Sequence, residues 1–184
     1  MSVQHKATSI KNKPKSVEEL TAQGAELERK VSELEQGGGS ASPAMQAAVM
    51  SARLTMHDEI KAGKRTGTDV VACEALFEEW KPGKYEKDDV RVHDGQVWRC
   101  CQPHDNKNNP DIEPGKSPAQ WVPYHTTDPK KAKPFIQPTM AEDSYQKGEV
   151  CLWTDGKVYR STMETANAYS PADYPQGWEV VDME

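Results

Sequence analysis

The sequence predicts a multidomain fold: an N-terminal α-helical coiled-coil stem and further helices, followed by two small all-β domains of three strands each. Three observations predict it. Apolar residues recur with a seven-residue period near the N-terminus, a run of glycines interrupts the helical part, and one pattern of turns and aromatic residues occurs twice in the C-terminal half. A repeated pattern of this kind indicates one small folding unit that is used twice.

Composition limits the alternatives. The chain has 184 residues, 35% of them hydrophobic, and a formal charge of -6, so several small units are expected rather than one large core. No apolar run approaches the ~20 residues that cross a bilayer. The N-terminus also lacks the apolar stretch of a signal peptide. We therefore expect synthesis in a cytoplasm and no membrane partner.

The cysteines give no sign of a metal site or of a disulfide framework. None forms a Cys-x-x-Cys pair, and two of them are adjacent in the chain. We therefore expect free thiols, no metal ion and no other cofactor. The cysteines are Cys73, Cys100, Cys101 and Cys151.

Residues 1–15 are predicted to be a basic anchor tail. They contain lysines and no acidic residue, although the rest of the chain is acidic. Such a tail docks on an acidic surface or on nucleic acid, or it is simply a short disordered terminus. The sequence leaves these alternatives open.

Residues 16–36 are predicted to form the coiled-coil stem. Ser16 and Glu19 make a capping box that starts a helix. Valines at a positions then alternate with leucines at d positions of a heptad repeat, which Gly24 interrupts. So short a helix is marginal alone, so we expect self-association; the alternative is an amphipathic helix packed on its own domain. The predicted oligomerisation residues are Val17, Leu20, Leu27, Val31 and Leu34.

Residues 37–42 are predicted to be a Gly/Ser linker, and residues 43–79 are predicted to be helical. Ser42 followed by Pro43 is a typical helix start, and Gly63 is a typical helix end. A shorter helix is expected from Thr68 to Trp80. The predicted apolar stripe of the first helix is Met45, Val49, Ala52, Met56 and Ile60.

Two β-domains are predicted, at residues 80–125 and 134–184, with a linker at 126–133. In each, a short alternating segment enters an Asp-Gly turn and leaves as a second strand, which predicts a β-hairpin. The first hairpin should pair His93 with Gln96 and Arg91 with Trp98, so that Trp98 either covers a second apolar cluster or stands exposed. The matching positions are Tyr85, Val90, Asp94-Gly95 and Trp121 in the first domain, and Tyr145, Val150, Asp155-Gly156 and Trp178 in the second.

These motifs resemble the small chitin- and cellulose-binding carbohydrate modules of bacterial chitinases. The resemblance rests on Trp98-Arg-Cys-Cys-Gln-Pro-His104 and Pro118-Ala-Gln-Trp121 in the first module, and on the order and spacing of the same elements in the second. It implies that aromatic side chains bind sugar rings. It also implies a structural core formed by Trp80, Tyr85, Trp121, Tyr145 and Trp178.

The second module is the better candidate for sugar contact. Members of that family typically carry a tryptophan in the loop that precedes the closing tryptophan. The first module has no aromatic residue from Asp105 to Pro114, whereas the second has two tyrosines in the corresponding loop and a tryptophan near its hairpin turn. The candidate carbohydrate-binding residues are Trp153, Tyr169, Tyr174, Trp98, His104 and Pro118.

Catalysis is not expected. The sequence has no phosphate-binding loop, no nucleophile elbow and no His-Glu-x-x-His motif. Glycoside hydrolysis needs two carboxylates placed across a cleft, and modules of this size offer little cleft. The adjacent carboxylates, such as Asp88-Asp89, diverge along the chain. We therefore predict no catalytic residues and no enzyme.

The order of basic tail, stem, linker and C-terminal modules resembles bacteriophage head fibres and related tail appendages. This resemblance implies a virion fibre or decoration protein that adsorbs to polysaccharides of host or environmental surfaces. It also implies a homo-oligomer, preferably a trimer, whose N-terminus attaches to a capsid or tail protein; no nucleic-acid partner is expected. The alternatives are a purely structural virion protein, whose modules mediate assembly contacts without binding sugar, and a cytoplasmic coiled-coil adaptor.

Overall fold

The computed structural model describes residues 42–182. The chain divides into two compact units, Met1–Gln46 and Ala47–Glu184. Of the first unit, only the start of one helix lies within the described range. The second unit contains a small helical part followed by β-sheets that are built in succession along the chain.

Helix α1 spans Pro43–Lys61. It begins after Ser42, whose hydroxyl accepts a hydrogen bond from the Met45 backbone N–H at 3.2 Å and so satisfies one of the free amides of the first turn. Beyond its end, Gly63 adopts a φ of +66°, a conformation that glycine reaches without the steric cost of a side chain. The predicted start and end of this helix are therefore confirmed.

The buried face of α1 is narrower than the predicted stripe. Met56 and Ile60 are buried, whereas Val49 lies further towards the N-terminus and is 39% exposed. The apolar residues that meet the sheet thus come from the last turns of the helix. Met45, Met50 and Leu54 are also exposed.

The second helix is shorter than predicted. Helix α2 spans Gly67–Ala72 and begins with a capping box between Thr66 and Asp69, and a single 3-10 turn follows at Glu74–Leu76. The predicted helix extended to Trp80. It stops early because the chain becomes extended beside the first sheet, where the Trp80 N–H donates to the Val92 carbonyl at 2.7 Å.

The first sheet lies in the first module. The strands here are β1 Lys84–Tyr85, β2 Val90–His93, β3 Gln96–Cys100, β4 His104–Asp105 and β5 Trp121–Pro123. Strands β2, β3 and β5 form an antiparallel sheet in that order, and β1 pairs with β4. The β2–β3 hairpin has the predicted register, with His93 opposite Gln96 and Arg91 opposite Trp98. Asp94 and Gly95 have φ values of 50° and 70°, as a type I′ turn requires.

Both faces of this sheet are buried. On one face, Val97 is fully buried and packs with Met56 and Val70 of the helices. On the other face, Trp98 packs with Tyr85 and Trp121. Trp98 therefore covers a second apolar cluster, which is one of the two alternatives that the hairpin register left open.

The second sheet repeats this plan with one strand more. Its strands are β6 Lys133–Pro134, β7 Val150–Leu152, β8 Val158–Ser161 and β9 Trp178–Val181. They lie in sequence order, and β6 runs parallel to β7 while the other pairs are antiparallel. The β7–β8 turn is wider than the first turn, because the Trp153 N–H donates to the Lys157 carbonyl at 2.9 Å.

The turn that precedes each hairpin is also repeated. The Asp89 carboxylate accepts a hydrogen bond from the Glu86 N–H at 2.9 Å, and the Glu149 carboxylate accepts one from the Gln146 N–H at 2.7 Å. The residue before each carboxylate has a positive φ, 68° at Asp88 and 89° at Gly148. The sequence repeat therefore reflects a repeated backbone conformation.

The predicted structural core is largely confirmed. Tyr85, Trp121, Tyr145 and Trp178 are buried, with exposed fractions of 4%, 1%, 1% and 7%. Trp80 is partly buried and packs against the cluster around Trp121. Burial of these large aromatic side chains removes much apolar surface from water, and this stabilises the small cores.

The predicted fold class is wrong and is corrected as follows. Residues 42–182 are mainly β with a small helical part, their longest helix has 19 residues, and they contain no long coiled-coil stem. The second sheet has four strands rather than three. The buried residues of α1 and α2 pack on the first sheet, so these helices complete a β unit. The predicted tail, the stem with Val17, Leu20, Leu27, Val31 and Leu34, and residues 37–41 of the linker lie outside the described residues.

Candidate functional site

The loop between β8 and β9 carries the most exposed aromatic residue of the second module. Asn167, which is fully buried, anchors this loop. Its backbone exchanges hydrogen bonds with Tyr145 at 2.7 and 3.0 Å. Its side-chain amide donates to the Gly177 carbonyl at 3.2 Å. The loop is therefore fixed to the core at its middle and at its end.

Tyr169 and Tyr174 form a pair on this loop. Their ring centroids lie 5.5 Å apart with an interplanar angle of 42°. Tyr169 is 55% exposed, but its backbone is held, because its N–H donates to the Asn167 side chain at 3.1 Å and its carbonyl accepts from the Trp178 indole at 3.0 Å. The Tyr169 ring is thus displayed to solvent from a fixed backbone.

Tyr174 is half-buried and has a second role. A Cβ atom on Gly177 would lie 2.6 Å from the Tyr174 ring, so only glycine allows the ring to pack so closely on the chain. Tyr174 therefore supports the loop while its ring adjoins Tyr169. Of the two, Tyr169 has the side chain that contributes less to the fold.

Trp153 makes its ring contact with Phe135 and not with the tyrosine pair, as far as the described residues show. It is half-buried, and its ring meets the edge of Phe135 at a centroid distance of 5.1 Å. Trp80 meets His93 in the same way at 5.1 Å in the first module. Trp153 therefore occupies the place of His93, as the sequence alignment of the repeats implies.

The three candidate residues of the first module are divided. Trp98 is buried, and its indole donates to the His93 carbonyl at 3.2 Å. Pro118 is exposed and lines, together with Trp98 and Trp121, a cavity of about 170 Å³. His104 is half-buried, and its ring packs edge-on against Trp121 at 5.4 Å. The structure thus brings Trp98 and Pro118 to one cavity and places His104 in the aromatic core.

A larger cleft of about 370 Å³ adjoins Trp98 on the side of its own hairpin. Trp98 and Pro114 of the first module line it together with Phe135 and Ile136, which lead into the second. Phe135 also contacts Trp153. The cleft is therefore formed jointly by the two modules, within the compact unit that contains both.

A polar cleft of about 280 Å³ carries charged groups of both signs, including Arg99 and Glu149. Burial raises the pKa of the Glu149 carboxyl, and a perturbed carboxyl in a cleft is a frequent mark of a functional site. Here Glu149 performs the turn-capping role that Asp89 performs in the first module. Its position is therefore explained by the fold.

Two of the cysteines, Cys100 and Cys151, belong to the packed core. Burial raises the pKa of the Cys100 and Cys151 thiols to about 12, so both stay protonated near neutral pH and are poor nucleophiles. All four cysteines are free. Between Ser42 and Asp182, no group of three or more His, Cys, Asp or Glu residues is placed to hold a metal ion. No helix in this range is long and apolar enough to cross a bilayer.

Sequence reasoning missed Phe135, the counterpart of Trp80. The Phe135 N–H donates to the Leu152 carbonyl at 2.9 Å, just as the Trp80 N–H donates to the Val92 carbonyl at 2.7 Å. The spacing to the following tyrosine differs between the modules, and this hid the match. An alignment that allowed a gap at this point would have found it.

Comparisons with known proteins identify no family for this chain: no family model matches its sequence, and no curated protein matches it either.

Proposed function

We propose that this chain binds polysaccharide through exposed aromatic side chains of its second module, as a virion-associated fibre or decoration protein. The observation that carries the proposal is the tyrosine pair, with Tyr169 displayed from a fixed backbone. A flat aromatic ring offers a large apolar face with few rotatable bonds, so little conformational entropy is lost when a sugar ring stacks on it.

The virion setting rests on the resemblance of the order of segments in the sequence, from the basic N-terminus to the C-terminal modules, to that of phage fibres. In that setting the protein adsorbs to glycans of host or environmental surfaces, and its N-terminus attaches to a capsid or tail protein. A homo-oligomer, preferably a trimer, suits the shallow tyrosine surface. Several weak sites that are held together raise the apparent affinity by roughly 10² or more through effective concentration.

A second function is favoured by the first module. Its loop from Asp105 to Pro114 has no aromatic residue, and Trp98 is buried rather than displayed. A module of this kind fits a purely structural virion protein, in which the carbohydrate-module-like fold mediates assembly contacts and binds no sugar. The two functions differ in whether the isolated protein is retained on polysaccharide.

The test is retention of the intact protein on insoluble chitin and on purified bacterial cell walls. Tyr169→Ala should lower the affinity several-fold, because an aromatic contact contributes about 0.5–1.5 kcal/mol. Tyr169→Phe is the matched control: it keeps the ring and should keep most of the retention. Both variants should keep the fold, since the hydrogen bonds of Tyr169 come from its backbone.

Two results would count against sugar binding by this surface. If the intact protein stays in the supernatant on both materials, the structural function becomes the better one. If Tyr169→Ala is retained as well as the unchanged protein, polysaccharide is bound elsewhere on the chain.

A further inference from the structure

The N-terminal part of α1 carries most of the exposed large apolar side chains of the described chain. Four of the seven in residues 42–182 lie there, and the other three are scattered over the second module. Exposed apolar side chains that are gathered on one element mark an interaction surface, whereas single ones do not. The four on α1 are Met45, Val49, Met50 and Leu54.

This part of the helix is also uncharged. Residues 43–52 contain no charged side chain. The first charge belongs to Arg53, whose Nη1 lies 2.5 Å from Glu78 Oε1 and whose Nε donates to the Leu76 carbonyl at 2.6 Å. Helices on anionic membrane surfaces carry lysine or arginine on a polar face, and binding to nucleic acid depends on such cations. The neutral surface of α1 fits an apolar protein partner instead.

Met50 and Leu54 form a ridge along one side of α1. They are four residues apart, so their side chains are neighbours on the helix surface. Their exposed fractions are 51% and 58%, so both side chains stand out from the body of the protein. In water such a ridge is unfavourable, and contact with an apolar surface would stabilise it.

An open cleft of about 500 Å³ lies on the opposite side of the helix. The small side chains of Ala48 and Ala52 line it, together with Leu76. Ala52 is two residues from both Met50 and Leu54, which is a rotation of roughly 200° about the helix axis. The charged residues that line the cleft, Arg65 and Glu59, pair with each other at 2.6 Å.

We propose that the ridge of one copy of this chain occupies the cleft of a second copy. Met50 and Leu54 of one copy pack on Ala48 and Ala52 of the next, so that large side chains fill the space that small ones leave. Because the ridge and the cleft lie on opposite sides of α1, the contact is heterologous and each copy uses both surfaces. A dimer would leave one ridge and one cleft uncovered, so more than two copies assemble.

A second copy fits this surface better than another partner. The ridge and the cleft are complementary in size, both lack an unpaired charge, and every copy carries the two together. A helix of another protein would cover one of them and leave the other in water. This contact rests on the proposed function, which includes the homo-oligomer, and adds the surface through which the copies meet.

The test uses two matched variants of the full chain, Leu54→Glu in the ridge and Ala52→Glu in the cleft. Both positions are exposed and glutamate is a good helix former, so each variant should keep the core signals of Val97 in NMR spectra. In sedimentation equilibrium the unchanged protein should contain more than two copies. Each variant alone should be monomeric, because it lacks one half of every contact. Lys61→Glu, at the other end of the helix, should assemble like the unchanged protein.

A mixture of the two variants tests whether the partner is a second copy. Leu54→Glu keeps an intact cleft and Ala52→Glu keeps an intact ridge, so the mixture should form a single contact and give a dimer. In an NMR titration, the Ala48 methyl signal of labelled Leu54→Glu should shift saturably when unlabelled Ala52→Glu is added. Addition of unlabelled Leu54→Glu should leave this signal unshifted.

Four results would overturn the inference: a monomeric unchanged protein, single variants that assemble like it, a mixture that gives no shift at Ala48, or a mixture that forms assemblies larger than a dimer. These samples contain no polysaccharide, so the outcome is separate from the test of sugar binding. Retention of a monomeric unchanged protein on polysaccharide would contradict this contact alone. Assembly as expected, without retention, would contradict sugar binding alone.

Discussion

At the scale of single residues, His125 is a buried group whose protonation is coupled to folding. Its ring stacks on Tyr145 at a centroid distance of 3.8 Å, and its Nε2–H donates to the Asp143 carbonyl at 2.9 Å. Burial lowers the pKa of His125 from 6.5 to about 4. The neutral ring is thus the form that the folded protein keeps.

This pKa predicts acid sensitivity. Above pH 6.5 the ring is neutral in both the folded and the unfolded chain. As the pH falls from 6.5 towards about 4, the unfolded chain binds a proton that the folded chain excludes. Stability should therefore decrease in this window by up to about 1.4 kcal/mol per pH unit. Urea unfolding at several pH values measures this slope.

The matched variant is His125→Phe, which keeps an aromatic ring against Tyr145 and removes the titration. Its stability should change less with pH between 6.5 and about 4. Glu149, whose pKa is raised by burial, contributes in the opposite direction at acid pH, but it is present in both proteins. Equal slopes for the two proteins would show that His125 does not cause the acid sensitivity.

At the scale of elements, the first hairpin depends on its turn. Gly95 has a φ of +70°, and a Cβ atom placed on it would meet nothing within 4 Å. Gly95→Ala should therefore destabilise the protein by about 1–2 kcal/mol through backbone strain alone. Gly83→Ala is the control, because its Cβ would make only an ordinary contact at 3.7 Å. Thermal unfolding of the two variants checks this, and equal melting temperatures would contradict it.

Both hairpins, and the two-residue turn of the first, could be predicted from the sequence, because register and turn chemistry are local. His93 opposite Gln96 follows directly from an Asp-Gly turn between alternating segments. The parallel strand β6 could not be predicted, since Lys133 and Pro134 carry no strand pattern and are placed by their pairing with Cys151 and Leu152. Local strand propensity does not predict a strand that forms only through pairing with a distant part of the chain.

The candidate site likewise has parts that local sequence predicts and parts that depend on long-range packing. Exposure of Tyr169 followed from its loop position, whereas the cleft beside Trp98 depends on how the chain from Pro134 to Ile136 packs against the first module. Ile136 packs on the aromatic cluster of Trp98 and Trp121, a contact between distant positions that no spacing reveals. The predicted fold class was wrong because the helices of the described range pack their buried residues on the first sheet, a long-range contact that a helical pattern in the sequence does not show.

At the scale of the whole molecule, the two modules are joined by specific contacts. The His125 ring of the first module stacks on Tyr145 of the second at a centroid distance of 3.8 Å, and its Nε2–H donates to the Asp143 carbonyl at 2.9 Å. Ile136 also packs on the core of the first module. Because each module has a small core of its own, these shared contacts are a large fraction of what stabilises either one.

We therefore expect the modules to unfold together. Trp121→Ala removes a side chain that is 1% exposed, and truncation of a buried tryptophan costs about 3–5 kcal/mol. The loss should lower the melting temperature of both modules equally. NMR signals of Val97 report unfolding of the first module, and NMR signals of Val158 report unfolding of the second. Tyr169→Ala, whose ring is exposed, should leave both midpoints unchanged. Separate midpoints in Trp121→Ala would show that the second module folds independently of the first, and the cleft between them would then be expected to open without unfolding either.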